Sequence, residues 1–465
     1  MRYMNQAYEF VSDFFRSSDE IQLEDAWVDA DDHLTEDELK IQRAGQILLW
    51  GAMLNGLVSF IFLLIGILFA SQDTFHQLQS LLISGYSGSD SSAWILLVLI
   101  SFANMTVTLI IMIGVIAQDI WTIFLMLFWA GLNLFLFITL AYIPAIFVIL
   151  PLIWAAIIIS KHWRYYRNNP VMVKELRGRM RGVRAFAIIS IYLALMSSFT
   201  LLLYLIRVPI ATATGIVITG SLGRDLFRGV VGIELMLILF IVPALTAGAI
   251  TSERERKTYD LLQSTLLAAP NFLIGKLQSA MGYIVLLLLA AIPLQSIAFL
   301  FGGVSESEVI LAFLLLTVST LVLGAAGIYF STRTDRTMGA TVRTYVVALT
   351  VIFAMTIFVA MRSSYVSVIS GIASNVSDNP IIETISIYAD MIIASLSPIT
   401  AMHYTQQILI DHQSLFVIDV TLSSSATGQT IPVLSPWILY IVIYLFLTAV
   451  MLIWAMRRMR RLPAS

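Results

Sequence analysis

Long apolar stretches separated by short polar interruptions dominate the chain. Stretches of about 20 residues, the length a helix needs to cross a hydrocarbon core of roughly 30 Å, run near 46–70, 94–117, 185–206, 230–250, 277–300, 309–330, 345–361 and 437–456. The unbroken apolar run from Ile120 to Ser160 is too long for one crossing and is expected to reverse near Tyr142-Ile143-Pro144, giving two. The pattern therefore predicts an all-α polytopic membrane protein with about ten crossings. Strands of a membrane barrel would instead alternate over roughly ten residues.

Composition agrees. Hydrophobic residues make up 59% of the chain and charged residues 12%, against roughly 25% charged in soluble domains. Placing both termini in the cytoplasm puts Lys161, Arg164, Arg167, Lys174, Arg177, Arg179, Arg181, Arg184, Arg254, Arg256, Lys257, Lys276, Arg333, Arg336, Arg343, Arg457, Arg458, Arg460 and Arg461 inside, and leaves Arg207, Arg224, Arg228 and Arg362 outside. That bias follows the positive-inside rule and predicts a multi-pass protein of the cytoplasmic (inner) membrane. The absence of cysteine excludes disulfides, thiol catalysis and cysteine metal sites. The first apolar run is too long for a signal-peptide core and follows acidic residues, so it reads as a retained span.

Residues 1–45 form an acidic cytosolic tail, and 46–167 an accessory region of four spans, with a turn-rich loop at Ser84 to Ser89. Next comes a basic segment at 168–184. Asn169 suits an N-cap and Pro170 the first helical position. Met172, Leu176, Met180 and Val183 recur on one face, while Lys174, Arg177, Arg181 and Arg184 cover much of the rest. Such a helix is expected to lie in the membrane interface, apolar face in acyl chains and cations near anionic headgroups. Residues 185–465 carry six further spans, with a large extracytoplasmic loop at 362–436. Helices are expected after Asn379-Pro380 and Ser397-Pro398, a strand-like run at Leu415 to Val420, and an interfacial stripe of Ile381, Ile385, Tyr388 and Ile392.

The most informative segment is Ser252-Glu253-Arg254-Glu255-Arg256-Lys257-Thr258, a dense charge run between two spans. Ser252 and Glu255 have capping-box spacing. Glu253 and Glu255 fall in a first turn, where the helix dipole favours anions. Tyr259, Leu262 and Leu266 share a face, and Pro270 ends the run. These features predict a short cytosolic helix over 253–267 with a charged head and an apolar flank.

Glu253-Arg254-Glu255-Arg256, Thr258, Leu261-Leu262, Pro270 and Gly275-Lys276, in that order, resemble the corresponding segment of the membrane subunits of ATP-binding-cassette (ABC) transporters, type-2 exporter-like class. Asn169-Pro170-Val171 through Arg179-Met180-Arg181 resembles the elbow helix before the first span of the same family. The resemblance covers roughly 168–465. Lys257 departs from the family's frequent glycine, and a tighter helix is expected there. The resemblance implies a permease with a six-helix bundle that moves an unidentified substrate, by export. It also implies a second permease copy or homologue, and a separate ATPase subunit that carries ATP and Mg and docks on the 253–267 helix. Glu253, Arg254, Glu255 and Arg256 would orient that subunit through ion pairs, and Tyr259 and Leu262 would supply buried contact.

No phosphate-loop motif is present, so the chain is expected not to hydrolyse ATP. His33, His76, His162, His403 and His412 fall in loops or tails at no metal-ligand spacing, and nothing points to nucleic acid. A charge at mid-bilayer costs about 2.5–3.5 kcal/mol on insertion scales and is normally kept for ion coupling. Asp119 fits a short turn between the second and third spans. Glu234 is expected within about a turn of an outer helix end, paired with Arg207 or Arg228, and is the one candidate for touching substrate. Asn104, Asn133 and Gln295 read as helix–helix hydrogen bonds. The alternatives are an ion-coupled secondary transporter and a non-transporting membrane scaffold subunit.

Overall fold

The structure is a computed structural model that describes residues 36–69, 90–140, 142–161, 169–213, 219–259, 269–354, 356–357, 361, 380–421 and 430–460. Most of the acidic tail, the loop at Ser84 to Ser89 and the first part of the large loop lie outside them. Among the described residues nine helices are long and apolar enough to cross a membrane. The molecule is a multi-pass α-helical membrane protein.

In chain order the helices are α1 (Glu36–Phe69), α2 (Asp90–Ile116), α3 (Trp121–Leu140), α4 (Ile146–Lys161), α5 (Pro170–Met180), α6 (Val183–Ala213), α7 (Thr219–Thr246), α8 (Thr251–Glu255), α9 (Ala269–Leu300), α10 (Glu306–Arg333), α11 (Thr337–Leu349), α12 (Pro380–Ala394), α13 (Pro398–His412) and α14 (Pro436–Arg460). Strands β1 (Val417–Thr421) and β2 (Thr430–Leu434) precede α14 as an antiparallel hairpin, Val417 opposite Leu434. The reversal expected at Tyr142-Ile143-Pro144 is a 3₁₀ turn, Ile143–Ala145, with Pro144 in its first turn. Tyr142 anchors it, its buried hydroxyl 2.8 Å from Ser101 Oγ on α2.

Several expected boundaries move. Helix α1 begins at Glu36, inside the segment expected as a tail, and α9 begins at Ala269, before the expected start at 277. Helix α7 begins at Thr219, eleven residues before the expected start at 230. The crossing expected at 345–361 is α11, which begins at Thr337 and runs into a π-helical turn at Thr350–Ala354. Its described apolar length is shorter than that of the nine long helices.

The outward faces of α3 and α6 are apolar: Phe124, Leu127, Phe128, Phe135, Ile138, Phe186, Ile191 and Leu205 are all exposed. Water would not tolerate so wide a patch, whereas lipid does. One extensive apolar cluster runs through Leu48 of α1, Ile111 of α2, Leu152 of α4, Leu273 of α9, Ile328 of α10 and Leu452 of α14. The chain boundary expected at 167 is therefore crossed by one continuous core. A second cluster joins α6, α7, α9, α10 and α14 through Met196, Leu226, Ile284, Leu315 and Tyr440.

Outside the long helices, Ile408, Ile418 and Val433 form a small core with Ile387, Tyr388 and Met391. This corrects the interfacial stripe: Tyr388 faces the hairpin, Ile392 is exposed, and the side chains of Ile381 and Ile385 lie outside the described residues. Ser397 precedes α13 as expected. Its hydroxyl makes no cap and instead meets Thr356 Oγ1 at 2.8 Å.

Asp119 occupies the tight turn between α2 and α3, where Gln118 takes a left-handed φ of 52°. It is 2% exposed and accepts from Gln278 Nε2 of α9 at 3.1 Å. Burial pushes its pKa up to about 6. A carboxyl whose folded pKa lies above its unfolded value stabilises fully below the unfolded pKa and loses that contribution as pH rises through the folded one. Asp119→Asn should therefore gain stability over the parent as pH increases from about 4 to 7. Thermal unfolding in detergent across that range measures the divergence; parallel curves would refute it.

Candidate functional site

The charge run does not begin one unbroken helix at 253, because the described backbone breaks at 256–258 and is helical again at Tyr259. Helix α8 covers only Thr251–Glu255, and the chain then turns, Lys257 adopting φ 58°. That left-handed conformation costs a non-glycine residue about 1–2 kcal/mol, so the position where glycine was the alternative is a turn and not tighter helix. Residues 260–268, including Leu262 and Leu266, lie outside the described residues.

The Ser252–Glu255 capping box is likewise absent. Ser252 Oγ donates back to Gly248 O within the turn that leaves α7. The free amides at the start of α8 are satisfied from another helix: Ile250 N and Thr251 N donate to Ser331 Oγ of α10, at 2.9 and 3.1 Å. Glu255 Oε1 accepts from Thr337 N at 2.7 Å, and so caps the first turn of α11, where a carboxylate suits the helix dipole. A capping box does form at Ser305 and Glu308, at the start of α10.

Lys276 stands at the centre of this region. It is 8% exposed. Its Nζ lies 3.0 Å from Glu175 Oε1 of α5 and 3.1 Å from Glu253 Oε1 of α8, and 5.1 Å from the ring centroid of Phe272. Thr258 Oγ1 donates to the other Glu253 oxygen at 2.6 Å. Glu175 also meets Arg179, whose guanidinium donates to Leu245 O at the end of α7. Arg254 pairs with Asp335 at 3.3 Å and lies over the Tyr259 ring.

Gly275 explains why α5 comes so close. The Asn169 side chain accepts from Val171 N at 3.0 Å, the expected N-cap, and donates to Asn271 O at 2.5 Å. A Cβ on Gly275 would sit 2.6 Å from Asn169 Oδ1. Gly275-Lys276 therefore joins the elbow helix to the charged turn, one residue by making room and the next by charge.

The predicted site residues divide. Glu253 and Arg254 are spent on partners within the chain, and Tyr259 is buried beside Ile250, Phe272 and Leu273, so it offers no outward face. Glu255, Arg256 and Lys257 are exposed. In α5, Leu176 packs inward against the core beside Gly282, Met172 is half-buried, and Met180 is exposed with Lys174, Arg177 and Arg181. The single acyl-facing stripe of Met172, Leu176 and Met180 is thus corrected. The helix ends at Met180, two residues before Gly182 at φ 88°.

Glu234 is also corrected. It sits in the middle of α7, fully buried, and accepts from Gln295 Nε2 of α9 at 2.9 Å on both oxygens. Arg228 bonds Gln406 instead, and the Arg207 side chain lies outside the described residues. Gln295 thus joins two helices as expected, whereas Asn133 turns back to Trp129 O of its own helix. Among the described residues no three His, Cys, Asp or Glu side chains converge to hold a metal ion.

No protein-family model matches the chain, and no curated protein matches it.

Removing one partner of a buried charge pair leaves the other uncompensated, at about 3–5 kcal/mol when burial is complete. Here both carboxylates keep more than a quarter of their exposure, so Lys276→Met should cost about 2 kcal/mol. Glu253→Gln in the Lys276→Met background should add far less than it does alone, and additive losses in thermal unfolding would show that the two groups act independently. Lys257→Gly should raise stability by up to about 1 kcal/mol while Lys257→Val lowers it. The same sign for both would contradict the left-handed turn.

Proposed function

We propose that this chain is the membrane permease subunit of an ABC transporter of the type-2 exporter-like class, driven by a separate ATPase subunit that docks beside α8. What supports this is the joint around Lys276. A turn that carries exposed charge at Glu255, Arg256 and Lys257 is tied by named bonds to α5, α9, α10 and α11. Force applied at such a turn reaches several helices as rigid-body motion, whereas a loose loop would absorb it.

In this reading α11 continues as a tenth crossing, and α6, α7, α9, α10, α11 and α14 make the six-helix bundle. The turn and both termini face the cytoplasm across the inner membrane. A second copy or a homologous chain completes the pathway, ATP and Mg stay on the ATPase, and the substrate moves outward. The docking surface narrows to the exposed residues Arg256 and Lys257, with Glu255 exposed beside them while one of its oxygens caps α11; Glu253, Arg254 and Tyr259 are withdrawn towards partners within the chain.

A second reading, an ion-coupled carrier, is favoured by one observation: a fully buried carboxylate at mid-helix whose partner is a neutral amide, Gln295. Intramembrane carboxylates in that position commonly carry a coupling proton.

One experiment separates the two. Replacing Arg256 and Lys257 with Glu should reduce co-purification of a phosphate-loop ATPase at least tenfold while membrane insertion is unchanged. Unaltered association would remove this surface from the mechanism. Transport that runs without ATP and stops with Glu234→Gln would establish the carrier instead.

A further inference from the structure

Away from Lys276, a cavity of about 210 Å³ opens between α7, α10 and α13. Its deep wall is apolar, formed by Leu235, Leu316 and Met402 among others, and its rim carries Arg228, His403 and Gln406. The rim is built. Glu308, 4% exposed, accepts from Gln406 Nε2 at 2.7 Å, and Gln406 Oε1 accepts from Arg228 Nε at 2.6 Å. Gln406 is itself 1% exposed.

This relay holds the guanidinium by its Nε edge, and Arg228 lines the cavity. Its Nη1 also pairs with Asp225 Oδ1 at 4.0 Å, a stretched ion pair on the same helix.

Depth orders the polarity. Arg228 lies six residues inside the crossing that starts at Leu222, roughly 9 Å at the helical rise. Leu235 lies two turns deeper on the same helix. A ligand would therefore meet the cation at one level of α7 and apolar side chains two turns further along the same helix. The volume is below the roughly 300–1,000 Å³ of sites for drug-sized molecules, which suits one chain and excludes a two-chained lipid held whole.

We propose that this cavity binds a single-chain anionic amphiphile, its carboxylate or phosphate head on Arg228 and its chain along Leu235, Leu316 and Met402. The proposal stands apart from the ATPase reading, since it concerns a different face of the bundle and other residues.

The test uses the full chain in neutral detergent, titrated with dodecanoate and with dodecyl phosphate; the tighter of the two identifies the head. Saturable binding of either is expected, at least tenfold tighter than that of dodecanol, butyrate or inorganic phosphate. Arg228→Gln should weaken it at least tenfold. So should Gly232→Phe, which fills the cavity from a position where an added Cβ meets nothing within 4 Å. If dodecanol binds as tightly as dodecanoate, or both variants bind like the parent, or no probe saturates, the site is not an anionic-amphiphile site. Should the variants fail to fold, a diazirine-bearing fatty acid decides on the parent protein: crosslinks confined to α7, α10 and α13 support the proposal, and crosslinks elsewhere overturn it. Phosphatidic acid competing as well as dodecyl phosphate would overturn the single-chain assignment.

Discussion

A lysine ammonium that is almost withdrawn from water governs how this molecule holds together at one membrane face. Taking an ammonium out of water costs several kcal/mol even after relaxation, so Lys276 persists only where acceptors replace the lost hydration. Those acceptors, Glu175 and Glu253, come from α5 and α8, segments far apart in the chain. Meeting the requirement of one side chain therefore places the elbow helix against the start of α9 and fixes the charged turn beside both. The neighbouring Gly275 is the steric half of the same constraint, since α5 cannot reach Lys276 without passing where a Cβ would stand.

Backbone groups at this face are satisfied in the same reciprocal way. A helix as short as α8 leaves most of its amides without intrahelical partners, and Ser331 supplies an acceptor from α10. Glu255 returns the favour to α11. Each element thus depends on a side chain from another, which makes the joint cooperative: loosening one member exposes donors on the next. A charge-dense turn between spans is ordinarily a solvated connector. This one is ordered because its polar groups are bonded to helix ends that would otherwise be open.

Much of the fold was legible because lipid imposes length. Runs of some twenty apolar residues admit few structures, and nine long helices stand where such runs lie. The Tyr142–Pro144 reversal, the Asn169 cap and the starts of α12 and α13 at proline were also readable, since each follows from local chemistry. What was not readable depends on distant partners. The early start of α7 was hidden because Arg224, Asp225 and Arg228 look like loop residues; Arg224 donates to Gly303 O and Arg228 to Gln406, so tertiary contacts carry polar residues into the helix. That displacement moved Glu234 from an assumed helix end to mid-helix. The capping-box spacing at Ser252 was equally misleading, because local spacing cannot reveal that Ser331 arrives from a helix eighty residues on.

Ionic groups within the bundle are handled differently at different depths, and the contrast separates what is rigid from what can respond. Lys276 has two carboxylates and an aromatic face, enough to satisfy a three-donor group, so its position is held from three sides. Arg228 has its Nε committed through Gln406 to Glu308, pairs loosely with Asp225 and lines a cavity. Glu234 receives only a neutral amide from Gln295. An amide stabilises a carboxylate less than a cation would, so Glu234 is held by hydrogen bonding between α7 and α9. A movement transmitted from the Lys276 joint along α9 would reach Gln295 directly, because both residues belong to one helix. The Lys276 joint and the Glu234–Gln295 pair are thus two polar contacts carried by one helix, α9.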